Sequence, residues 1–154
     1  MLFRSDELIR KASDPLAVVE AGACDVAVVK VAPLGGIDQV VEVARQVAAH
    51  GVSLTLSSAL DTAVGIGAGL QAAALVAQVG KDAGVFGPAG PNAAGLATGS
   101  LFTADAGARE IRDGAMLTGA IEPDPAVLER YAVDADRRQW WIRRMEAAAA
   151  ELGA

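Results

Sequence analysis

The chain has 154 residues, of which 53% are hydrophobic and 21% charged, the balance of a globular domain with a core rather than of a disordered segment. A net charge of -6, with neither a basic stripe nor an aromatic stacking platform, argues against nucleic acid and anionic membranes and leaves small molecules or protein as partners. A single cysteine, Cys24, excludes an intramolecular disulfide and offers no metal-ligand spacing, so it reads as a small buried apolar residue in a reducing cytoplasm.

Met1-Leu-Phe-Arg-Ser5 is too short for the apolar region of a signal peptide, and Asp6 and Glu7 follow at once. Residues 1–5 read as a non-native assembly scar and are left out of the expected fold. Ser13-Asp14-Pro15 pairs a capping side chain with a first-turn proline and opens a short helix that ends near Gly22.

The segment from Val26 to Gly36 is the one the other elements are arranged around. All residues from Val26 to Val31 are Val or Ala except Lys30, and Pro33, Gly35 and Gly36 then break the run, the mark of a parallel strand covered on both faces. Alternation puts Val26, Val28 and Lys30 on one face, with the cation at the C-terminal end, where α/β sheets and barrels do their chemistry. Without further information Lys30 is as well explained by snorkelling to solvent.

Val40, Val41, Ala44, Val47 and Ala48 keep a helical period up to His50, and Gly51 stops it. His50 at that stop suits the orphan carbonyls of the helix end better than a metal, because no second His or Cys accompanies it. A strand follows at 52–56. Ser57, Ser58, Asp61 and Thr62 then supply hydroxyls and a carboxylate to cap a helix from Ala63 to about Gln78. That apolar tract is interrupted by Gln71 and is shorter than the ~20 residues of a membrane span, so it is expected to be a buried helix. Gly65, Gly67 and Gly69 hint at a dinucleotide fingerprint, but they lie inside the helical tract and Leu70 holds the last fingerprint position; close packing explains them better.

Gly84 to Asn92 is a loop by composition, a short strand is expected at 93–96, and 107–120 reads as irregular. Asp124-Pro125 starts a brief helix through Tyr131, and 134–152 has the length and alanine content of a terminal helix. Of the adjacent Trp140 and Trp141, one is expected to pack and the other to be exposed or to cover a missing partner. Alternating β and α elements without hairpin signals predict an α/β fold of parallel strands joined by crossover helices.

Four segments carry a resemblance: Asp6 to Arg10, Ala27 to Gly36, Ser57 to Gly65 and Gly95 to Gly99, in that order and spacing, with Arg137-Arg-Gln-Trp-Trp141 near the end. Together they resemble the C-terminal half of the o-succinylbenzoate synthase family of the enolase superfamily, in its actinobacterial form. The resemblance implies an incomplete (β/α) barrel, about strands five to eight, over residues 6–124, and a helical tail over 125–154. The stretch around 80–92 is longer than in that family, and the segment after Ala104 differs.

What the resemblance implies chemically is a Mg²⁺-dependent dehydration in menaquinone synthesis that begins with removal of a proton α to a carboxylate. The superfamily that the resemblance implies uses a Lys or His base with Mg²⁺; the cation offsets the second negative charge of the enediolate. Asp6 corresponds to a metal-binding carboxylate and Lys30 to the lysine opposite the base. Ser57, Ser58 and Gly95 fall where strand ends approach the substrate's carboxylates. The base and the other metal ligands belong to a missing N-terminal half of the same enzyme, so the chain alone is expected to be inactive and to self-associate through exposed strand edges. N-acylamino acid racemisation uses the same groups and stays open, as does a non-enzymatic α/β binding or assembly module. Ser57 and Ser58 have no His–Asp arrangement and no nucleophile elbow, which argues against a role as nucleophiles.

Overall fold

Parallel pairing builds the sheet of the computed structural model, which describes residues 4, 5, 9, 11, 13–107 and 109–153. β1 (Arg4–Ser5) lies beside β2 (Val26–Val29), Arg4 opposite Val26, and β2 lies beside β3 (Ser53–Leu56), Val26 opposite Ser53 and Val29 opposite Leu56. Parallel neighbours need crossover connections. α1 (Asp14–Glu20) joins β1 to β2, α2 (Val31–Leu34) and α3 (Ile37–Ala48) join β2 to β3, and α4 (Ala63–Asp82) follows β3.

The period of two divides the sheet into unlike faces. Ala27, Val29, Leu54 and Leu56 turn toward the helices and share one core with Val40 and Val47 of α3 and Ile66 and Val76 of α4. The opposite face carries Val26, Val28, Ser53 and Thr55. Its two buried hydroxyls are satisfied from the next segment, Ser53 Oγ accepting from Asn92 Nδ2 at 3.1 Å and Thr55 Oγ1 donating to the Ala93 carbonyl at 3.4 Å.

Several expectations need correction. Arg4 and Ser5 do take part in the fold, because a parallel ladder is made by backbone groups whatever the side chains are. The break after Lys30 is a single helical turn, α2, closed by Gly35 in the left-handed conformation (φ +97°) while the Gly36 N–H donates to the Val31 carbonyl at 3.1 Å. α4 runs four residues past Gln78, to Asp82, and packs on α3 and β3 as a core helix, although its length and composition would also suit a membrane span. Its glycines are packing positions: a Cβ on Gly69 would sit 2.9 Å from Leu96 Cδ2, and one on Gly65 2.9 Å from Asp61 Cβ.

The strand expected at 93–96 meets the sheet at one residue, a parallel bridge between Gly95 and Ser57, and a 3₁₀ turn (Thr98–Leu101) follows. Residues 107–120 are not all irregular. β4 (Ile111–Arg112) and β5 (Ala115–Met116) form an antiparallel hairpin whose turn places Asp113 at φ +51° and Gly114 at φ +77°, the conformation for which Asp-Gly is suited.

The chain divides into two compact units, Met1–Pro123 and Asp124–Ala154. In the second, α5 (Pro125–Arg130) and α6 (Ala135–Leu152) start at Asp124 and Asp134, whose carboxylates accept from the N–H groups of Ala126 and Arg137. Neither Trp140 nor Trp141 enters a core. The indoles instead pack edge to face, 4.7 Å apart, with the Arg144 guanidinium 4.8 Å from the Trp140 ring, because consecutive helical positions can meet each other but not one common face.

Candidate functional site

Three of the five residues singled out above meet at the C-terminal end of the sheet. One step beyond the Val29–Leu56 pair the register brings Lys30 opposite Ser57, on the same face as Val28 and Thr55. The Ser57 N–H donates to the Val29 carbonyl at 2.8 Å, and Gly95 bridges Ser57 from the other side. Lys30, Ser57 and Gly95 therefore form one rung. Lys30 is half-buried, in extended backbone (φ -123°, ψ 139°) immediately before the α2 turn.

Gly95 contributes clearance, since its N–H donates to the Leu56 carbonyl at 2.8 Å and its carbonyl accepts from the Ser58 N–H at 3.0 Å. A Cβ here would stand 3.2 Å from Ser57 Oγ, so alanine would press on the hydroxyl. Ser58 points the other way by alternation. It is buried, with its hydroxyl 2.6 Å from Thr98 Oγ1, and the two hydroxyls satisfy each other. Asp6 lies outside the described residues.

The loop from β3 to α4 is pinned by residues that sequence inspection passed over. Thr62 occupies the N-cap of α4 without a side-chain cap bond, and Asp61 is turned back to accept from the Ala59 N–H at 3.1 Å. The cap comes from Asp105, whose carboxylate accepts from the Ala63 N–H at 2.8 Å. Arg109 grips the same residue, donating from Nε to the Ala63 carbonyl at 3.1 Å and from its terminal nitrogens to the carbonyls of Leu117 (3.1 Å) and Gly119 (2.7 Å). Local sequence gives no sign of a cap that arrives from 42 residues downstream.

Cys24 sits just before β2, at the far end of the sheet from Lys30. Burial first, and the neighbouring Asp25 carboxylate second, push its thiol pKa up, which makes it an inert core sulfur. Among the described residues no three His, Cys, Asp or Glu side chains gather. The carboxylates of Asp61 and Asp105 are already accepting from backbone N–H groups. The described residues alone therefore do not fit a magnesium ion, which demands several oxygens in near-octahedral array.

Residues 5–115 match the family model described as "Enolase C-terminal domain-like". The chain is 49% identical over 144 residues to the o-succinylbenzoate synthase of Mycobacterium ulcerans (strain Agy99) and 46% identical over 144 residues to that of Mycobacterium tuberculosis (strain ATCC 25618 / H37Rv), each alignment covering 93% of this chain and 40% of the relative. It thus spans about 40% of the length of these curated relatives. Among solved structures, N-succinyl Arg/Lys racemase from Bacillus cereus ATCC 14579 gives a TM-score of 0.68 at 20% identity, over 85% of this chain and 34% of that one. Muconate lactonizing enzyme from Pseudomonas putida gives 0.67 at 22%, over 84% and 35%. At these identities the likeness is one of fold, and the fold is an α/β arrangement of parallel strands.

Proposed function

This chain belongs to the enolase C-terminal domain-like family, and on that premise we propose that the protein it comes from is an o-succinylbenzoate synthase, a carbon–oxygen lyase that abstracts a proton α to a carboxylate and expels water. The observation that carries the reading is the 49% identity to a protein of that name over 93% of the chain, with the family match spanning Lys30, Ser57, Ser58 and Gly95.

In this reading the Lys30 ammonium faces the substrate and offsets the charge that develops on its carboxylate as the proton leaves. The Ser57 hydroxyl, beside Lys30 on the rung, meets a substrate carboxylate in the clearance left by Gly95, and Ser58 steadies the loop through Thr98. Asp6 is one carboxylate of a magnesium site whose other ligands, like the base, come from the rest of the barrel. The chain by itself is inactive and self-associates, and the complete protein works in the cytoplasm. Racemisation of N-acylamino acids would also employ Lys30, but the likeness to a racemase is at the level of fold, whereas the likeness to the synthases is at 46–49% identity.

The test is turnover by the complete protein, with its upstream reading frame restored and magnesium supplied. Formation of o-succinylbenzoate, abolished by a chelator, is expected. Racemisation of N-succinyl amino acids without dehydration would assign the alternative, and neither reaction would refute the reading.

A further inference from the structure

The segment that carries Gly95 has little backbone ladder to hold it. Its pairing with the sheet is the bridge at Ser57, where the Gly95 N–H donates to the Leu56 carbonyl at 2.8 Å and the Gly95 carbonyl accepts from the Ser58 N–H at 3.0 Å. Beyond that bridge, side chains continue the attachment. Leu96, 3% exposed, packs against α4 at Gly69, and two residues further on Thr98 Oγ1 stands 2.6 Å from Ser58 Oγ.

Stability does not account for this hydroxyl pair. Ser58 is buried on the face of β3 that turns to the helices, in line with Leu54 and Leu56, which join the apolar core. Two apolar groups of the same shape would serve such a place about as well, because a hydrogen bond made on folding replaces one made to water. What the hydroxyls add is a fixed separation and direction between residues 58 and 98, which non-directional apolar contact does not supply. The separation has a consequence at the rung. Ser57 precedes Ser58, Gly95 bridges it, and a Cβ on Gly95 would stand 3.2 Å from Ser57 Oγ, so the space beside the Ser57 hydroxyl is decided by how closely the two chains lie.

We propose that Thr98 is a positioning residue: through the Ser58 hydroxyl it fixes the end of β3 against the Gly95 segment and so holds the Ser57 hydroxyl where it meets a substrate carboxylate. Thr98 itself touches no substrate. The inference rests on the function proposed above and adds to it the residue that sets the geometry of the carboxylate contact.

Variants of the complete protein separate positioning from stability. Thr98→Val keeps the shape and leaves the Ser58 hydroxyl buried and unpaired, Thr98→Ser keeps the bond, and Ser58→Ala combined with Thr98→Val removes both hydroxyls and orphans neither. For Thr98→Val the melting temperature is expected to fall and kcat/KM for dehydration to drop by about tenfold or more, mostly through KM, since the substrate carboxylate is there before and after the proton leaves. For Thr98→Ser, kcat/KM stays within about threefold of the parent, the bond being kept. In the double variant the melting temperature returns toward the parent while kcat/KM stays as low as in Thr98→Val. Added to Ser57→Ala, Thr98→Val costs less than about threefold more in kcat/KM, because both act on one contact. Unchanged kcat/KM in Thr98→Val, a loss in Thr98→Ser equal to that in Thr98→Val, activity that returns with the melting temperature in the double variant, or a full further loss on top of Ser57→Ala each overturns the proposal and leaves the function standing. A parent protein that does not dehydrate at all overturns the function and, with it, the proposal.

Discussion

Replacing Asp105 by alanine removes the cap that α4 receives from outside its own sequence. Its carboxylate lies 2.8 Å from the N–H of Ala63, the first residue of the helix, and Thr62 at the N-cap makes no side-chain bond that could take over. Loss of an N-terminal cap costs about 1 kcal/mol, within a range of roughly 0.5–2, and a negative charge at a helix N-terminus contributes about 0.3–1 kcal/mol more. Ala63 is buried, so water does not readily replace the lost acceptor, and this puts the cost in the upper part of the range. Against this, the other Asp105 oxygen, Oδ1, is buried with no hydrogen-bond partner among the described residues, a standing penalty of about 1 kcal/mol that the substitution relieves. The balance is a net loss of about 1–2 kcal/mol, or roughly 2–8 °C in melting temperature for a protein of this size. Thermal melts followed by circular dichroism should show it, and amide exchange should quicken at Ala63 and in the first turn of α4 while the end near Asp82 is unaffected. Unchanged exchange at Ala63 would show that the loop, not the carboxylate, holds the helix start.

Gly69→Leu forces a side chain against Leu96, which already stands 2.9 Å from the position of a bare Cβ, and should lower the urea midpoint by an amount equivalent to about 1–3 kcal/mol. Cys24 should react slowly with maleimide in the folded protein. Because its pKa is raised on folding, the unfolded chain gives up the thiol proton first, so stability should fall as pH rises above the ordinary thiol range of about 8.5; Cys24→Ala should flatten that part of the urea-midpoint profile. The 154-residue chain alone should show no tight Mg²⁺ uptake by calorimetry and no dehydration, since its described residues gather no ligand cluster; heat of stoichiometric binding would contradict this.

What could be read from the sequence was whatever is decided locally. Ser13-Asp14-Pro15, Asp124-Pro125, the alternation through Val26, Val28 and Lys30, and the stop at Gly51 each act within a turn or a strand, and the elements they announce are present. The pairing of Lys30 with Ser57 was not among the expectations; it came from the strand register, which carries side chains of one face along together. The misses have physical causes of two kinds. Asp113-Gly114 is a strong turn signal, but its strands are two residues each and show no alternation to draw the eye. The contributions of Thr98, Asp105 and Arg109 come from 40 or more residues away, through a hydroxyl, a carboxylate and a guanidinium whose partners are backbone or side-chain groups that any sequence offers. Local preference at Asp61 and Thr62 pointed to a cap that tertiary structure supplied differently.

The central claim is that the rung at the end of β2 and β3 is where the substrate's charge is met. It is tested most directly by Lys30→Ala in the complete protein, with turnover and melting temperature measured side by side. Lys30 is half-buried at a strand end rather than part of the apolar core, so the fold should tolerate the change. Loss of one preorganised electrostatic contact should lower kcat by about 10²–10³-fold or more. A drop of that size with the melting temperature within a few degrees of the parent, about the shift of 1 kcal/mol, is the predicted result; turnover near that of the parent would contradict the account and return Lys30 to the solvent.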